Sequence, residues 1–142
     1  MPTRNAKARW TGALKDGTGT LEGGSGLISG AYSFPSRFED GSGTTPEELI
    51  AAAHASCYAM ALSALLGEAG VTPEHIDAQA RVTLTEVDGK PTITKVHLEV
   101  SGAVPGVDPQ GFRQQAEAAK AFCPVSRALT GVEITLEVAG GP

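Results

Sequence analysis

The sequence has no cluster of basic residues. It carries 11 Lys and Arg against 16 Asp and Glu, a net charge of −5 over 142 residues. Nucleic acids and anionic membrane surfaces attract proteins through basic patches. We therefore expect neither a nucleic acid nor a membrane as a partner of this chain.

The first ten residues, MPTRNAKARW, lack the apolar segment of a secretory signal peptide, so we expect a cytoplasmic protein. The sequence has only two cysteines, Cys57 and Cys123. In a reducing compartment, two cysteines are more often buried apolar residues, metal ligands or redox catalysts than a structural cross-link.

Phosphate-binding glycine motifs are also missing. The chain has 18 glycines, but no GxxxxGK[ST] or GxGxxG motif, so the glycines are typical of turns and bulges. There is no internal repeat of fixed period. With 41% hydrophobic and 19% charged residues, the composition is that of a globular protein, and we expect a single domain over residues 1–142.

Residues 44–70 are predicted to form one long helix. Thr45 is the expected N-cap, and it forms a capping box with Glu48, while Gly67 and Gly70 are expected to end the helix. Nearly every side chain between is apolar, and such a helix must be covered on all sides. A membrane span is disfavoured because the run is mostly alanine, contains a histidine and is flanked by acidic residues. We expect a sheet on one side and a second copy of the protein on the other, in a homodimer.

Alternating apolar residues and turn signals predict six strands, near residues 8–12, 18–21, 27–34, 77–87, 92–103 and 132–138. Asp108 is expected to cap a further helix that ends at Cys123, since Pro124 disfavours helical geometry there, and a short helix follows. This order predicts an α+β fold with two three-stranded halves, whose antiparallel-rich sheets wrap around the long central helix.

The two cysteines are candidates for chemistry. Cys57 lies in the apolar helix, where a cysteine is most often a small core residue. Cys123 lies on a segment that can pack against that helix, so the thiols could meet. One thiol could then attack an oxidant, and the other could capture the sulfenic acid as a disulfide. Burial raises the pKa of a thiol, so a thiolate at Cys57 needs a nearby cation.

Arg37 is the candidate for that cation, because a guanidinium stays charged and holds two ligands in one plane. We expect Arg37 in a loop before the central helix, and the alternative is a solvated pair with Glu39 or Asp40. Glu47 is its candidate carboxylate partner, or it interacts only with the helix dipole. Glu47 precedes Cys57 by about 15 Å of helix rise. We therefore expect the carboxylate that orients Arg37 over Cys57 to come from a different subunit.

His54 leaves other interpretations open. It precedes Cys57 by three residues on one helix face, which could supply two metal ligands or a Cys-His hydrolase pair. Further metal ligands would have to come from Cys123, His75 and His97. The chain could also be a non-enzymatic dimeric module that binds a hydrophobic ligand. A core role for His54 is favoured over a catalytic one.

Several segments resemble the OsmC/Ohr family of thiol-dependent hydroperoxide reductases, namely SRFED, TPEELIAAAHASC, LGEAGVTP, AVPGVD and CPVS. The resemblance covers essentially the whole chain and implies two chains intertwined around paired central helices. It implies that Cys57 is the peroxidatic cysteine and Cys123 the resolving cysteine. Arg37 would be the activating arginine, with Glu47 as its carboxylate partner. We expect no cofactor and no metal.

The arginine before the central helix resembles the OsmC branch, whereas Ohr members carry theirs nearer the N-terminus, where this chain has Arg9. Thr45 and Ser36 stand where many relatives carry Asn and Thr, but both keep a capping or hydroxyl group.

The resemblance also implies a substrate and a reductant. Organic hydroperoxides would be reduced to alcohols by a small dithiol such as a lipoyl group, in protection against oxidative or osmotic stress. An apolar pocket beside Cys57, lined by residues such as Leu49, Ala53 and Met60, would fit these substrates.

Overall fold

The computed structural model describes residues 2–139. Its elements in chain order are β1 (Ala6–Thr11), β2 (Thr18–Gly23), β3 (Ser29–Tyr32), α1 (Phe34–Phe38), α2 (Pro46–Glu68), β4 (His75–Val87), β5 (Lys90–Ala103), α3 (Pro109–Phe122), α4 (Pro124–Ala128) and β6 (Glu133–Val138). Two three-stranded sheets and a long helix confirm the predicted α+β class. The chain divides into two compact units, Met1–Leu49 and Ile50–Pro142. That these units form a single domain stays a prediction.

The first unit contains the antiparallel sheet β1-β2-β3. Gly19 of β2 lies opposite both Trp10 and Tyr32, whose rings are 5.6 Å apart. A side chain at this position would have to fit between them, since a Cβ atom there would lie 2.6 Å from Tyr32 and 2.7 Å from Trp10. The glycine therefore allows the two aromatic rings to pack across the strand.

The second unit contains the sheet β4-β5-β6. Strands β4 and β5 form a long antiparallel hairpin that closes at the pair Val87 and Lys90. The two turn residues, Asp88 and Gly89, have φ angles of 54° and 77°. Positive φ at both positions is what a tight hairpin turn of this length requires, so the predicted Asp-Gly turn is confirmed. Strand β6 runs parallel to β5, because α3 and α4 carry the chain back before it enters the sheet.

Local chemistry defines both ends of α2. The Thr45 hydroxyl accepts a hydrogen bond of 2.9 Å from the backbone N–H of Glu48, which confirms the predicted N-cap. The Glu48 carboxylate binds the Thr44 hydroxyl instead of completing the predicted capping box. At the other end, Gly70 has a φ of +81°, and the N–H of the following residue bonds back to Leu66 at 2.9 Å. This left-handed glycine ends the helix, whereas Gly67 lies inside it.

One face of α2 is part of the core of the second unit. The fully buried members of this core include Tyr58, Leu62 and Leu66 of α2, Val96 and Leu98 of β5, Phe112, Ala116 and Ala119 of α3, and Cys123. Other positions of α2 are exposed, including Met60 at 76%. The helix is long and apolar enough to cross a membrane by length and composition alone, a test that the core helix of a soluble protein also passes. Its exposed apolar surface is consistent with the predicted homodimer.

Candidate active site

Arg37 lies in the short helix α1, whereas the sequence predicted a loop at this position. Helix α1 begins after Ser33, whose hydroxyl accepts a hydrogen bond of 3.1 Å from the Ser36 N–H. The Ser36 hydroxyl in turn accepts one of 2.8 Å from the Ser33 N–H. This reciprocal pair is a capping box, and Pro35 in the first turn also favours helix formation. Arg37 is thereby fixed in the last turn of α1.

The guanidinium of Arg37 binds both carboxylate oxygens of Glu47. Its Nε donates to Oε1 at 3.2 Å and its Nη2 donates to Oε2 at 2.9 Å. The Arg37 guanidinium also lies 5.4 Å from the centre of the Phe38 ring. Glu47 is 8% exposed and the Arg37 side chain 34% exposed, so the pair is partly shielded from water.

This pairing corrects two expectations. Arg37 does not pair with Glu39 or Asp40, and its carboxylate partner comes from the same chain, not from another subunit. The physical reason is that only residues 39–45 separate α1 from the first turn of α2, which places Glu47 within reach of Arg37.

A cavity of about 230 Å³ borders Arg37 within the first unit. Its lining is mostly apolar and comprises Trp10, Leu14, Tyr32, Ser33, Phe34, Arg37 and Phe38. Ala53 and Met60, from which the sequence predicts an apolar pocket beside Cys57, are exposed in the single chain, and that pocket stays a prediction.

Cys57 and Cys123 are brought together in the second unit. Cys57 is partly buried on α2, while Cys123 is fully buried between α3 and α4. Cys123 is the C-cap of α3, and α4 begins at Pro124, so α3 ends where the sequence predicted. The Cys123 thiol lies beside the Cys57 thiol and acts on its pKa. Two thiols in contact can form a disulfide when one of them is oxidised.

Burial and two neighbouring residues determine the acidity of the Cys57 thiol in this unit. Burial raises the pKa of Cys57, and the neighbouring Cys123 raises it further. A hydrogen bond from the backbone of Val125, in the first turn of α4, lowers the pKa but does not outweigh the burial. The expected effect of burial on the thiol is confirmed, and a cation would be needed to reverse it. Arg37 belongs to the other unit, so its action on Cys57 stays a prediction.

Residues 39–137 match the family model described as OsmC-like protein. The chain belongs to the OsmC family. It is 49% identical to the protein named peroxiredoxin OsmC from Escherichia coli (strain K12) over 135 residues, which cover 94% of each chain. It is also 31% identical to the organic hydroperoxide resistance protein of Xanthomonas axonopodis pv. citri over 101 residues, 70% of this chain and 69% of that protein. The higher identity with OsmC agrees with the expected branch.

Solved structures give the same answer for the fold of this OsmC-family chain. The organic hydroperoxide resistance protein OhrB of Bacillus subtilis superposes with a TM-score of 0.75 at 27% identity, covering 94% of this chain and 97% of OhrB. The organic hydroperoxide resistance protein of Elizabethkingia anophelis superposes with a TM-score of 0.77 at 25% identity, covering 97% of this chain and 96% of that protein.

The candidate metal ligands in the structure differ from those suggested by the sequence. Among residues 2–139, the group that could hold a metal ion is His97 with Glu99 and Glu137, on the neighbouring strands β5 and β6. It includes neither cysteine, and Arg81 already pairs with Glu99. The ligand set suggested around His54 and Cys57 is therefore not assembled in the part of this OsmC-family chain that the structure describes.

Two contributors to the site were missed in the sequence. The backbone of Val125 and the hydroxyl of Ser126 both lie in α4, within the CPVS segment that carried the family resemblance. Ser126 bonds to His54, which is fully buried, as expected of a core histidine. Backbone donors have no sequence signature, so only the short helix after Pro124 indicated that they would be present.

Proposed function

We propose that the protein is a thiol-dependent peroxidase that reduces organic hydroperoxides to alcohols. The Cys57 thiolate attacks the distal oxygen of the peroxide, the O–O bond breaks, and the alcohol leaves after taking up a proton. Cys57 is then a sulfenic acid. The Cys123 thiol attacks its sulfur, which releases water and forms a disulfide between the two residues. Two thiols of an external dithiol reduce that disulfide and restore both cysteines.

The contact between the Cys57 and Cys123 thiols is the observation that carries this proposal. A resolving thiol must reach the sulfenic acid before a second peroxide oxidises it further. The similar proteins support the same reaction class, since they carry the names peroxiredoxin and organic hydroperoxide resistance protein. These names support a peroxidase-type enzyme. The roles of the two cysteines in the reaction are our proposal.

Arg37 supplies the positive charge that Cys57 needs. Burial raises the pKa of Cys57, so the thiolate must gain more from a cation than it loses by desolvation. Glu47 holds the guanidinium through Nε and Nη2, and Nη1 takes no part in that pair. In this proposal the guanidinium stabilises the thiolate and then the charge that develops on the departing oxygen.

The apolar cavity beside Arg37 suits the organic part of the substrate. Aromatic side chains such as Trp10, Phe34 and Phe38 form most of its wall. The transfer of hydrocarbon groups from water to such a surface is favourable, whereas hydrogen peroxide has no hydrocarbon group to bind there. We therefore favour organic hydroperoxides over hydrogen peroxide.

The remaining parts of the proposal concern partners and location. The reductant is a small dithiol such as a lipoyl group. The protein acts as a homodimer in the cytoplasm, in protection against oxidative or osmotic stress. The exposed apolar surface of α2, with Met60 at 76% exposure, supports a second copy as the covering partner.

Thiol counting under anaerobic conditions tests the reaction. The reduced protein receives one equivalent of cumene hydroperoxide, and free thiols are counted before and after. Wild type is expected to lose both thiols quickly, with a disulfide between Cys57 and Cys123 found by peptide mass spectrometry. Cys57→Ser is expected to be inert. Cys123→Ser is expected to stop with an oxidised Cys57 and no intramolecular disulfide.

Survival of both thiols in the wild type would overturn the proposal. The chain would then be examined as a non-enzymatic module for hydrophobic ligands.

A further inference from the structure

A buried hydrogen bond joins the central helix to α4, and the proposed mechanism does not use it. His54 Nε2 lies 2.7 Å from the hydroxyl of Ser126, although the two residues are 72 positions apart. His54 is fully buried and Ser126 is 8% exposed. A hydrogen bond withdrawn from water in this way fixes its two elements in one relative position.

This bond lies next to the contact that influences the thiol of Cys57. On α2, His54 precedes Cys57 by three residues, so the two side chains lie one turn apart on one face. On α4, Ser126 directly follows Val125, whose backbone hydrogen bond acts on Cys57. The same two short segments are therefore joined twice, by His54 with Ser126 and by Cys57 with Val125.

Helix α4 needs such support. It has five residues, and its N-cap, Cys123, makes no side-chain capping bond. A helix of this length is not stable by itself, so tertiary contacts must determine where its backbone lies. The buried hydrogen bond between Ser126 and His54 is one of these contacts, and it is lost if the Ser126 hydroxyl is removed.

The imidazole of His54 is retained at a cost. Its Nδ1 is buried and has no hydrogen-bond partner within residues 2–139. A leucine would fill the space without burying an unpaired nitrogen. Burial also lowers the pKa of His54, so the ring is neutral and adds no positive charge to the site. His54 is not among the groups that act directly on the pKa of Cys57, so we connect the ring to the thiol through the position of α4.

We propose that His54 is a positioning residue of the peroxidase centre, which holds Ser126 so that the backbone N–H of Val125 stays on the sulfur of Cys57. The inference rests on the proposed function only in taking Cys57 as the reacting thiolate. A hydrogen bond to the sulfur favours the charged form, so its loss lowers the fraction of thiolate at neutral pH.

The test is the pH dependence of Cys57 alkylation by iodoacetamide, followed by mass spectrometry in the Cys123→Ser background. The ratio of the rate at about pH 7 to the rate at about pH 10 reports the thiolate fraction of Cys57, and one unit of pKa changes it by up to about tenfold. Ser126→Ala and His54→Leu each remove the hydrogen bond. We expect both to lower this ratio about three- to tenfold.

Conservative variants should restore the parent value. Ser126→Thr keeps the hydroxyl, and His54→Gln keeps an amide that can donate or accept a hydrogen bond near the position of Nε2. Both are expected to alkylate with the pH profile of the parent protein. Loss of packing alone would not distinguish Ser126→Thr from Ser126→Ala in this way.

Tyr58→Phe is the matched control. The Tyr58 hydroxyl donates a buried hydrogen bond of 2.9 Å to the carbonyl of Ala116, which joins α2 to α3 and not to α4. This variant should lower the melting temperature and leave the alkylation ratio of Cys57 unchanged. The inference is overturned if Ser126→Ala and His54→Leu change the ratio no more than Tyr58→Phe does.

The same titration separates this inference from the proposed function. Alkylation requires no hydroperoxide, so it reads the thiolate of Cys57 whether or not the protein is a peroxidase. Thiol counts with cumene hydroperoxide on the parent protein test the peroxidase itself. An unchanged alkylation profile with an active peroxidase would refute the role of His54 alone.

Discussion

Arg37 and Glu47 form a two-point ion pair within one chain, with donor–acceptor distances of 3.2 and 2.9 Å. The pair connects the short helix α1 to the first turn of α2, and it holds the guanidinium in one plane. Because Glu47 is nearly buried, the orientation of Arg37 depends on this one carboxylate. The geometry of the pair should therefore matter more than its charge.

Arg37→Lys keeps the charge and removes the planar fork. A lysine ammonium cannot bind both oxygens of Glu47 in the same way. A hydrogen bond to a charged group is worth about 1.5–3 kcal/mol, so we expect the rate of Cys57 oxidation by cumene hydroperoxide to fall about 10- to 100-fold. Stopped-flow kinetics on the reduced protein gives this rate.

Glu47→Gln completes a double-mutant cycle with Arg37→Lys. If Glu47 acts by orienting Arg37, the double variant should lose little more activity than the worse single variant. Fully additive losses would show that the two residues act independently, contrary to the proposed arrangement. Arg9→Lys is the control, and it should retain the wild-type rate if Arg37 is the activating arginine.

A charge at Met60 should disrupt the predicted homodimer. Met60 is 76% exposed in one chain although it lies on an apolar helix. We expect wild type to elute at the mass of two chains and Met60→Lys to elute as a monomer, because burying an unpaired ammonium costs several kcal/mol. Size-exclusion chromatography with light scattering measures the mass.

Val87→Lys provides the matched control for that substitution. Val87 is 43% exposed at the end of the β4-β5 hairpin, so an added charge there should leave the dimer intact. A wild-type protein that is monomeric at micromolar concentrations would contradict the prediction.

Much of the fold could be predicted because its signals are local. Thr45 and Gly70 define the ends of α2 by their own hydrogen bonding and backbone angles, and the Asp88-Gly89 turn does the same for the β4-β5 hairpin. The sequence around α1 held a similar signal, since Ser33 and Ser36 have capping-box spacing, but a five-residue helix has too few residues for a periodic pattern.

The arrangement of the candidate site depended on tertiary packing instead. The spacing of Glu47 and Cys57 predicts that the carboxylate comes from another subunit, whereas Glu47 binds Arg37 within one chain. The bond between His54 and Ser126 joins residues 72 positions apart, and neither residue type indicates the other. The parallel pairing of β6 with β5 also follows from how α3 and α4 return the chain.

The buried His54 should make stability fall in mild acid. Its pKa is lowered in the folded protein, so below the ordinary value of 6.5 the unfolded chain takes up a proton that the folded chain refuses. The contribution of His54 to the free energy of unfolding is therefore fully present above that pH. It declines as the pH falls, by up to about 1.4 kcal/mol per pH unit.

Urea denaturation over this range, compared with His54→Gln, measures the contribution. All other ionisable groups are common to the two proteins, so their effects cancel in the comparison. The variant should have lower stability near neutral pH but a shallower decline in acid. Parallel curves would mean that His54 accepts its proton in the folded state.

Tyr58 should produce the opposite dependence in alkali. Its hydroxyl is fully buried, donates to the Ala116 carbonyl, and has a pKa raised well above the ordinary value of 10.0, mainly by burial. The folded protein keeps this proton when the unfolded chain loses it, so stability is present below about pH 10 and is lost as the pH rises further.

Tyr58→Phe should cost about 0.5–1.5 kcal/mol near neutral pH, through the lost hydrogen bond. Above about pH 10 the difference between the two proteins should shrink, because only wild type has a phenol whose ionisation stabilises the unfolded chain. Urea denaturation of both proteins at matched pH values measures the difference, and a constant gap across the alkaline range would refute a buried, protonated Tyr58.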